Sequence, residues 1–80
     1  MKYKVAYIDN RGTNEQPFGF VYLVRGEELA GRIGYGAHRD NPDPLAVWAC
    51  RETPHDVNAL AVDAARGALA KAFPHLATGG

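Results

Sequence analysis

The sequence predicts an α+β fold: a three- or four-stranded antiparallel sheet with one C-terminal helix packed on one face. Segments 2–9, 18–25 and 28–36 alternate in polarity or are rich in β-branched and aromatic residues, as strands are. Residues 54–73 instead repeat apolar side chains at the period of a helix. A chain of 80 residues has the size of one small domain, so we assign a single domain to residues 1–80.

The first strand is predicted over residues 2–9, with Tyr3, Val5 and Tyr7 on one side of the sheet. Residues 10–17 are polar and contain Gly12 and Pro17, so they are predicted to form a loop.

The next two strands form a predicted hairpin around Gly26 and Glu27, because Gly suits the first central position of a type II′ turn. This turn pairs Val24 with Leu29, and an unbroken register then gives the sheet one apolar face. We expect that face to meet the helix; its members are Phe18, Phe20, Tyr22, Val24, Leu29 and Ile33.

A fourth strand is predicted over residues 45–51, although this length also allows a short helical turn. The helix is predicted to begin with Thr53 as N-cap and Pro54 in the first position. Ala64 and Ala68 lie near the centre of its apolar face and are predicted to be buried. Residues 75–80 are predicted to form a frayed tail.

The charge balance limits the classes of partner. Nine basic and nine acidic residues give no net charge, and neither half is a basic arm or an acidic tail. Strong non-specific binding of nucleic acid is therefore not expected. The single cysteine, Cys50, fits a reducing cytoplasm, and no long apolar run predicts a membrane segment or a signal peptide.

No chemical motif stands out in the sequence. His38, His55 and His75 lack the spacing of metal ligands, and Cys50 would need a base placed by the fold to act as a nucleophile. We therefore predict no catalytic residue, no cofactor and no metal, and we expect that the protein is not an enzyme.

The predicted uncovered face of the sheet combines an apolar centre with a charged rim, as protein interfaces do. Its charged members, which we predict to bind a partner, are Lys4, Arg25, Glu28 and Arg32. Two loop arginines, Arg11 and Arg39, are secondary candidates for the same contact.

In size, in its Ala- and Gly-rich, cysteine-poor composition and in its sheet-plus-helix layout, the whole chain resembles the small phage-encoded anti-CRISPR proteins that act on type I systems. These proteins share no family motif, so no functional residue is carried over. The resemblance implies an inhibitor that docks on a Cas subunit of the surveillance complex (Cascade), or on its nuclease, and blocks target DNA or nuclease recruitment.

It also implies a location in the cytoplasm of an infected bacterial host. We further expect no membrane association and a monomer or weak homodimer. The layout is similar as well to three-stranded DNA-binding domains, such as the plant GCC-box type, which read a groove with the open face of the sheet. A DNA-binding module is therefore the alternative function, although zero net charge argues against it.

Overall fold

A computed structural model describes residues 2–77 as a four-stranded antiparallel sheet with one helix on one face, which confirms the predicted fold class. The strands are neighbours in chain order, β1-β2-β3-β4. The elements are β1 (Lys4–Asn10), β2 (Phe18–Arg25), β3 (Glu28–Gly36), β4 (Val47–Trp48) and α1 (Ala59–Ala72).

The first strand contains a β-bulge. Val5 pairs with Leu23 and Tyr7 pairs with Tyr22, so Ala6 is an additional residue with no partner of its own. Because a bulge shifts the alternation of side chains by one residue, Val5 and Tyr7 point to opposite faces. The prediction that they share a face is wrong.

The third strand contains a second bulge. The predicted turn is confirmed in its pairing of Val24 with Leu29, and Gly26 has the positive φ of +66° that the first position of a type II′ turn needs. However, Leu23 pairs with Gly31, so the register shifts at Ala30.

The two bulges decide which face of the sheet meets the helix. The core contains Val21, Leu23, Ile33 and Tyr35, all of which are buried. The set of six residues predicted there is wrong except for Ile33. The prediction carries the register of the turn through Ala30 without a shift, so it pairs Ile33 with Phe20 instead of Val21 and wrongly assigns the Phe20 side of β2 to the core.

The helix begins at Ala59, five residues later than predicted. Asn58 is its N-cap, and its side-chain oxygen accepts a hydrogen bond of 3.0 Å from the Ala61 amide. The predicted cap, Thr53, instead closes a tight turn, because its hydroxyl accepts a hydrogen bond of 2.7 Å from the Cys50 amide.

The helix buries Ala61, Ala65 and Leu69, which recur every four residues on one face. Ala64 is exposed and Ala68 is half-buried. The prediction that both are buried is therefore wrong: the buried stripe lies about one residue to the side.

The end of the helix remains part of the core. Phe73 is buried, and the Leu76 amide donates a hydrogen bond of 3.0 Å to its carbonyl. Leu76 and Ala77 also pack against the core. The predicted frayed tail is thus wrong for residues 75–77, and residues 78–80 lie outside the described part of the chain.

The fourth strand is shorter than the predicted 45–51. Only Val47 and Trp48 pair with β3, opposite Tyr35 and Gly34 respectively. After β4 the chain continues alongside β3, and the Arg32 amide donates a hydrogen bond of 3.3 Å to the carbonyl of Glu52.

Candidate functional site

The sheet surface turned away from the helix carries aromatic and charged side chains, and we call it the open face. The register of the strands places these residues on it: Lys4, Tyr7, Asp9, Phe18, Phe20, Tyr22, Val24, Leu29, Arg32 and Trp48. Tyr7, Phe18 and Leu29 are 53%, 52% and 60% exposed. Phe18 and Leu29 lie at opposite ends of the β2–β3 hairpin, so exposed apolar side chains extend along the whole open face, as they do on interaction surfaces.

Two tyrosines from neighbouring strands form the first part of the open face. The rings of Tyr7 and Tyr22 stack with centroids 4.5 Å apart and planes 9° from parallel. Arg32 donates a hydrogen bond of 2.9 Å to the hydroxyl of Tyr22. The stack and this bond hold both rings in place.

Phe20 is the centre of the open face. The guanidinium carbon of Arg32 lies 3.9 Å from its ring centroid, and that of Arg11 lies 4.9 Å away. These are cation–π distances. Arg11 is oriented further by a hydrogen bond of 3.1 Å from its Nε to Asp9.

Arg32 is held on several sides. Besides the bond to Tyr22, its Nη2 lies 3.2 Å from a carboxylate oxygen of Glu52. The hydrogen bonds to Tyr22 and Glu52 raise the pKa of Arg32, and the bond from Arg32 lowers the pKa of Glu52. The Arg32 side chain is 23% exposed, so it orders its neighbours more than it reaches into solvent.

Trp48 forms the β4 side of the open face. Its indole lies directly on Gly34, where a Cβ would come within 2.7 Å of the indole nitrogen. The ring of His38 is 5.9 Å from that of Trp48. The glycine therefore permits the close approach that places the indole on the sheet.

A second polar cluster lies on the opposite side, at the edge of the core. Tyr3 donates a hydrogen bond to the carboxylate of Asp56, and Arg25 lies 3.4 Å from both side chains. The bond from Tyr3 is the main reason that the pKa of Asp56 is lowered, and the same bond raises the pKa of Tyr3. This cluster ties the segment before the helix to β1 and β2.

The structure separates the six predicted partner-binding residues. Arg25 and Arg32, expected as neighbours on one face, lie on opposite faces, because the bulge at Ala30 changes the alternation between them. That part of the prediction is wrong. Glu28 pairs with Arg25 in the hairpin, away from the open face.

The remaining three predicted residues differ in their relation to the open face. Lys4 lies on it, opposite Val24, and Arg11 reaches it from the adjoining loop. Arg39 is exposed in the turn between His38 and Asn41. Whether any of the six binds a partner stays a prediction.

Sequence reasoning missed Tyr7, Phe20 and Trp48 as members of the exposed surface. One signal was available: on β2 the aromatic residues occupy one parity and the aliphatic residues Val21 and Leu23 the other. Aliphatic side chains are fully buried more often than tyrosine, so the parity that contains Tyr22 is the better candidate for the exposed face, as observed.

Comparison with protein-family models, with curated proteins and with solved structures finds no match to this chain. Within residues 2–77, no group of three or more His, Cys, Asp or Glu side chains is placed to hold a metal ion. The helix in this part of the chain falls short of the length and apolar character that a membrane crossing requires.

Proposed function

We propose that the chain is a protein-binding inhibitor that docks through its open face. The observation that supports this most is the cluster of Tyr7, Phe20, Tyr22 and Arg32, in which a largely covered guanidinium orders aromatic rings on one side of the sheet. Tyrosine, tryptophan and arginine are the side chains that contribute most to protein interfaces.

The cluster is ordered before any partner arrives. Tyr7 is stacked, Tyr22 is hydrogen-bonded and Arg32 is paired with Glu52. A side chain that is already fixed loses little conformational entropy on binding, where a free one costs about 0.5–1.5 kcal/mol. This pre-organisation favours a stable complex.

The same contacts favour a protein partner over nucleic acid. Stacking a base needs a free ring face, but the stack of Tyr7 and Tyr22 covers one face of each ring, and Phe20 is contacted by two guanidinium groups, so the centre of the open face offers few free ring faces. Binding a phosphate backbone needs several uncompensated cations, but on the open face Arg32 is paired with Glu52 and the charge of Arg11 is partly offset by Asp9.

As the partner we propose a Cas subunit of a type I surveillance complex, or the nuclease that the complex recruits. The support is the resemblance in size, composition and layout to small phage-encoded anti-CRISPR proteins. In this proposal the protein acts in the cytoplasm of an infected bacterium. It occupies the site for target DNA or for the nuclease, without a chemical step of its own.

The test is pull-down on purified type I surveillance complexes and nucleases, with phage plaquing as the cellular measurement. We expect Phe20→Ala to weaken binding by about 2 kcal/mol, as for a central interface residue. Leu60→Ala is the matched control, because Leu60 is 56% exposed on the helix, on the other side of the sheet; it should bind like the wild type.

The outcomes test the proposed partner and the proposed contact surface separately. If the wild-type chain binds no Cas component and does not restore plaquing in any type I subtype, the proposed partner is wrong. If it binds but Phe20→Ala binds equally well, the open face is not the contact. Retardation of duplex DNA with a steep salt dependence would instead support the DNA-binding alternative.

A further inference from the structure

A cavity of about 720 Å³ opens at the loop end of the sheet, beside the open face. One wall is the loop after β1, and the other is the segment that leads from β3 to β4. The apolar part of the lining includes Phe18, Pro17, Pro42 and Pro44. Its volume is within the range of about 300–1,000 Å³ that ligand sites occupy.

Both walls are fixed by hydrogen bonds. The side-chain oxygen of Asn10 accepts from the amides of Gly12 and Phe18, at 3.1 and 3.2 Å. In the other wall, His38 and Asn41 exchange two backbone hydrogen bonds of 2.7 and 2.9 Å. The cavity is therefore pre-formed, and filling it requires little ordering.

One cation at the rim is oriented for binding. Arg11 uses its Nε for Asp9 and rests on the Phe20 ring, while its side chain is 54% exposed. Among the described residues, its two terminal nitrogens have no hydrogen-bond partner. A guanidinium held in this way offers paired N–H groups that match a carboxylate. The other charged residue of the lining is Glu15.

We infer that this cavity is the anchor point of the protein interface: it takes an apolar side chain of the partner, and Arg11 binds a carboxylate next to that side chain. The inference rests on the proposed function. It names the chemistry of the partner, an acidic segment that carries an apolar residue. Arg11 and Phe18 belong both to the cavity and to the open face, so one partner surface can cover the two.

The direct test uses the full chain, labelled with ¹⁵N, and two short probes: acetyl-Gly-Asp-Leu-Asp-Gly-amide and its counterpart with lysine in place of aspartate. We expect the acidic peptide to shift the backbone amides of residues 11–18 and 37–44 at millimolar concentration, and the lysine peptide to shift them far less. Equal shifts by both peptides, or no shift at about 20 mM, at which a millimolar site is nearly saturated, would overturn the inference.

Two charge variants should change the affinity for the acidic peptide in opposite directions. Arg11→Gln should weaken binding of the acidic peptide roughly fivefold, the upper value for an exposed ion pair. Glu15→Gln should strengthen it, because a like charge is removed from the rim. If both variants change affinity in the same direction, or neither changes it, charge recognition by Arg11 is refuted. A shift of the same amides by oligothymidylate that matches the acidic peptide would also refute the inference.

These experiments need no Cas component, so their outcome is separate from that of the pull-down. If the acidic peptide binds and no Cas protein does, the cavity assignment holds and the proposed partner is wrong. The double variant Arg11→Gln with Phe18→Ala tests the opposite case. If it binds a Cas protein as well as the wild type does, the proposed partner is correct but the cavity is not the anchor point.

Discussion

The hydroxyl of Tyr35 donates a hydrogen bond of 3.1 Å to the side-chain oxygen of Asn10. The ring of Tyr35 is fully buried in the core, whereas Asn10 ends β1 and also accepts hydrogen bonds from the amides of Gly12 and Phe18. One amide side chain therefore connects the core to the loop that forms a wall of the cavity. Burial, with a smaller contribution from Asp9, raises the pKa of Tyr35 to about 12.

This pair predicts a stability change at high pH. Because the folded pKa of Tyr35 is raised above the ordinary 10.0, its contribution to stability is complete below pH 10 and is lost as the pH rises towards 12. Tyr35→Phe should cost about 1 kcal/mol at neutral pH, the value of one hydrogen bond. The variant should also lose less stability than the wild type between these pH values, by urea unfolding. An identical alkaline decline in both proteins would contradict the prediction.

Asn10→Ala should be more harmful than Tyr35→Phe. It leaves three donors without their acceptor. The amides of Gly12 and Phe18 are exposed and can bond to water, but the Tyr35 hydroxyl is part-buried, and a buried donor left unpaired costs about 1–3 kcal/mol. Urea unfolding measures the loss. Asn10→Asp is the control, because it keeps the acceptor oxygen in place; a loss as large as that of Asn10→Ala would mean that the oxygen is not what matters.

Neighbouring alanines of the helix should respond differently to the same change. Ala65 is fully buried, so Ala65→Leu should overpack the core and lower the free energy of unfolding by about 1–3 kcal/mol. Ala64 is exposed, so Ala64→Leu should change stability by less than about 0.5 kcal/mol. Chemical denaturation checks both, and the reverse order would mean that the helix is rotated.

The free energy of unfolding should fall at acid pH, because the pKa values of two carboxylates are lowered in the folded protein. Asp56 is bonded to Tyr3, and Glu52 to Arg32; their ordinary pKa values are 3.8 and 4.5. Since the folded values are lower, the stabilisation is present above the ordinary values and is lost as the pH falls through the folded ones. Asp56→Asn and Glu52→Gln should each flatten the decline of unfolding free energy in this range, and a decline as steep as in the wild type would contradict the assignment.

Trp48 is the only tryptophan, so its emission reports on the open face. A Cβ at position 34 would lie 2.7 Å from the indole nitrogen, so Gly34→Ala should displace the ring and shift its emission to longer wavelength. Gly67 is the control: nothing lies within 4 Å of its added Cβ. Gly67→Ala should leave the emission unchanged and stabilise the helix by about 1 kcal/mol. Equal spectra for Gly34→Ala and the wild type would refute this contact.

The sequence supports the fold class because the hairpin turn and the apolar period of the helix are local signals. It misassigns the faces because a bulge has little local signature. Val24 pairs with Leu29 as the turn requires, and the shift at Ala30 follows only when the strand packs. Both parities of β2 are apolar, so neither could be rejected by hydrophobic pattern alone.

The start of the helix shows a similar limit. Thr53 and Pro54 have the chemistry of a helix start, as Asn58 also has. The choice depends on two contacts: the local bond of the Thr53 hydroxyl with the Cys50 amide, and the tertiary bond of the Glu52 carbonyl with the Arg32 amide. The cluster on the open face depends on the register of the strands. The register predicted from the sequence has no bulge and therefore assigns Arg32 to the uncovered face but Phe20 and Tyr22 to the face that meets the helix.

The bulge at Ala6 also affects the tendency of the protein to aggregate with other copies of itself. β1 is an outer strand, and within the described residues its far edge has no ladder partner. A regular outer strand can pair with a strand of another molecule and so start aggregation. A bulge or a lysine on the edge hinders that pairing. β1 has both, with Ala6 interrupting the spacing of its backbone groups and Lys4 two residues before it. An aromatic surface that would otherwise favour fibre growth can therefore stay exposed at high protein concentration.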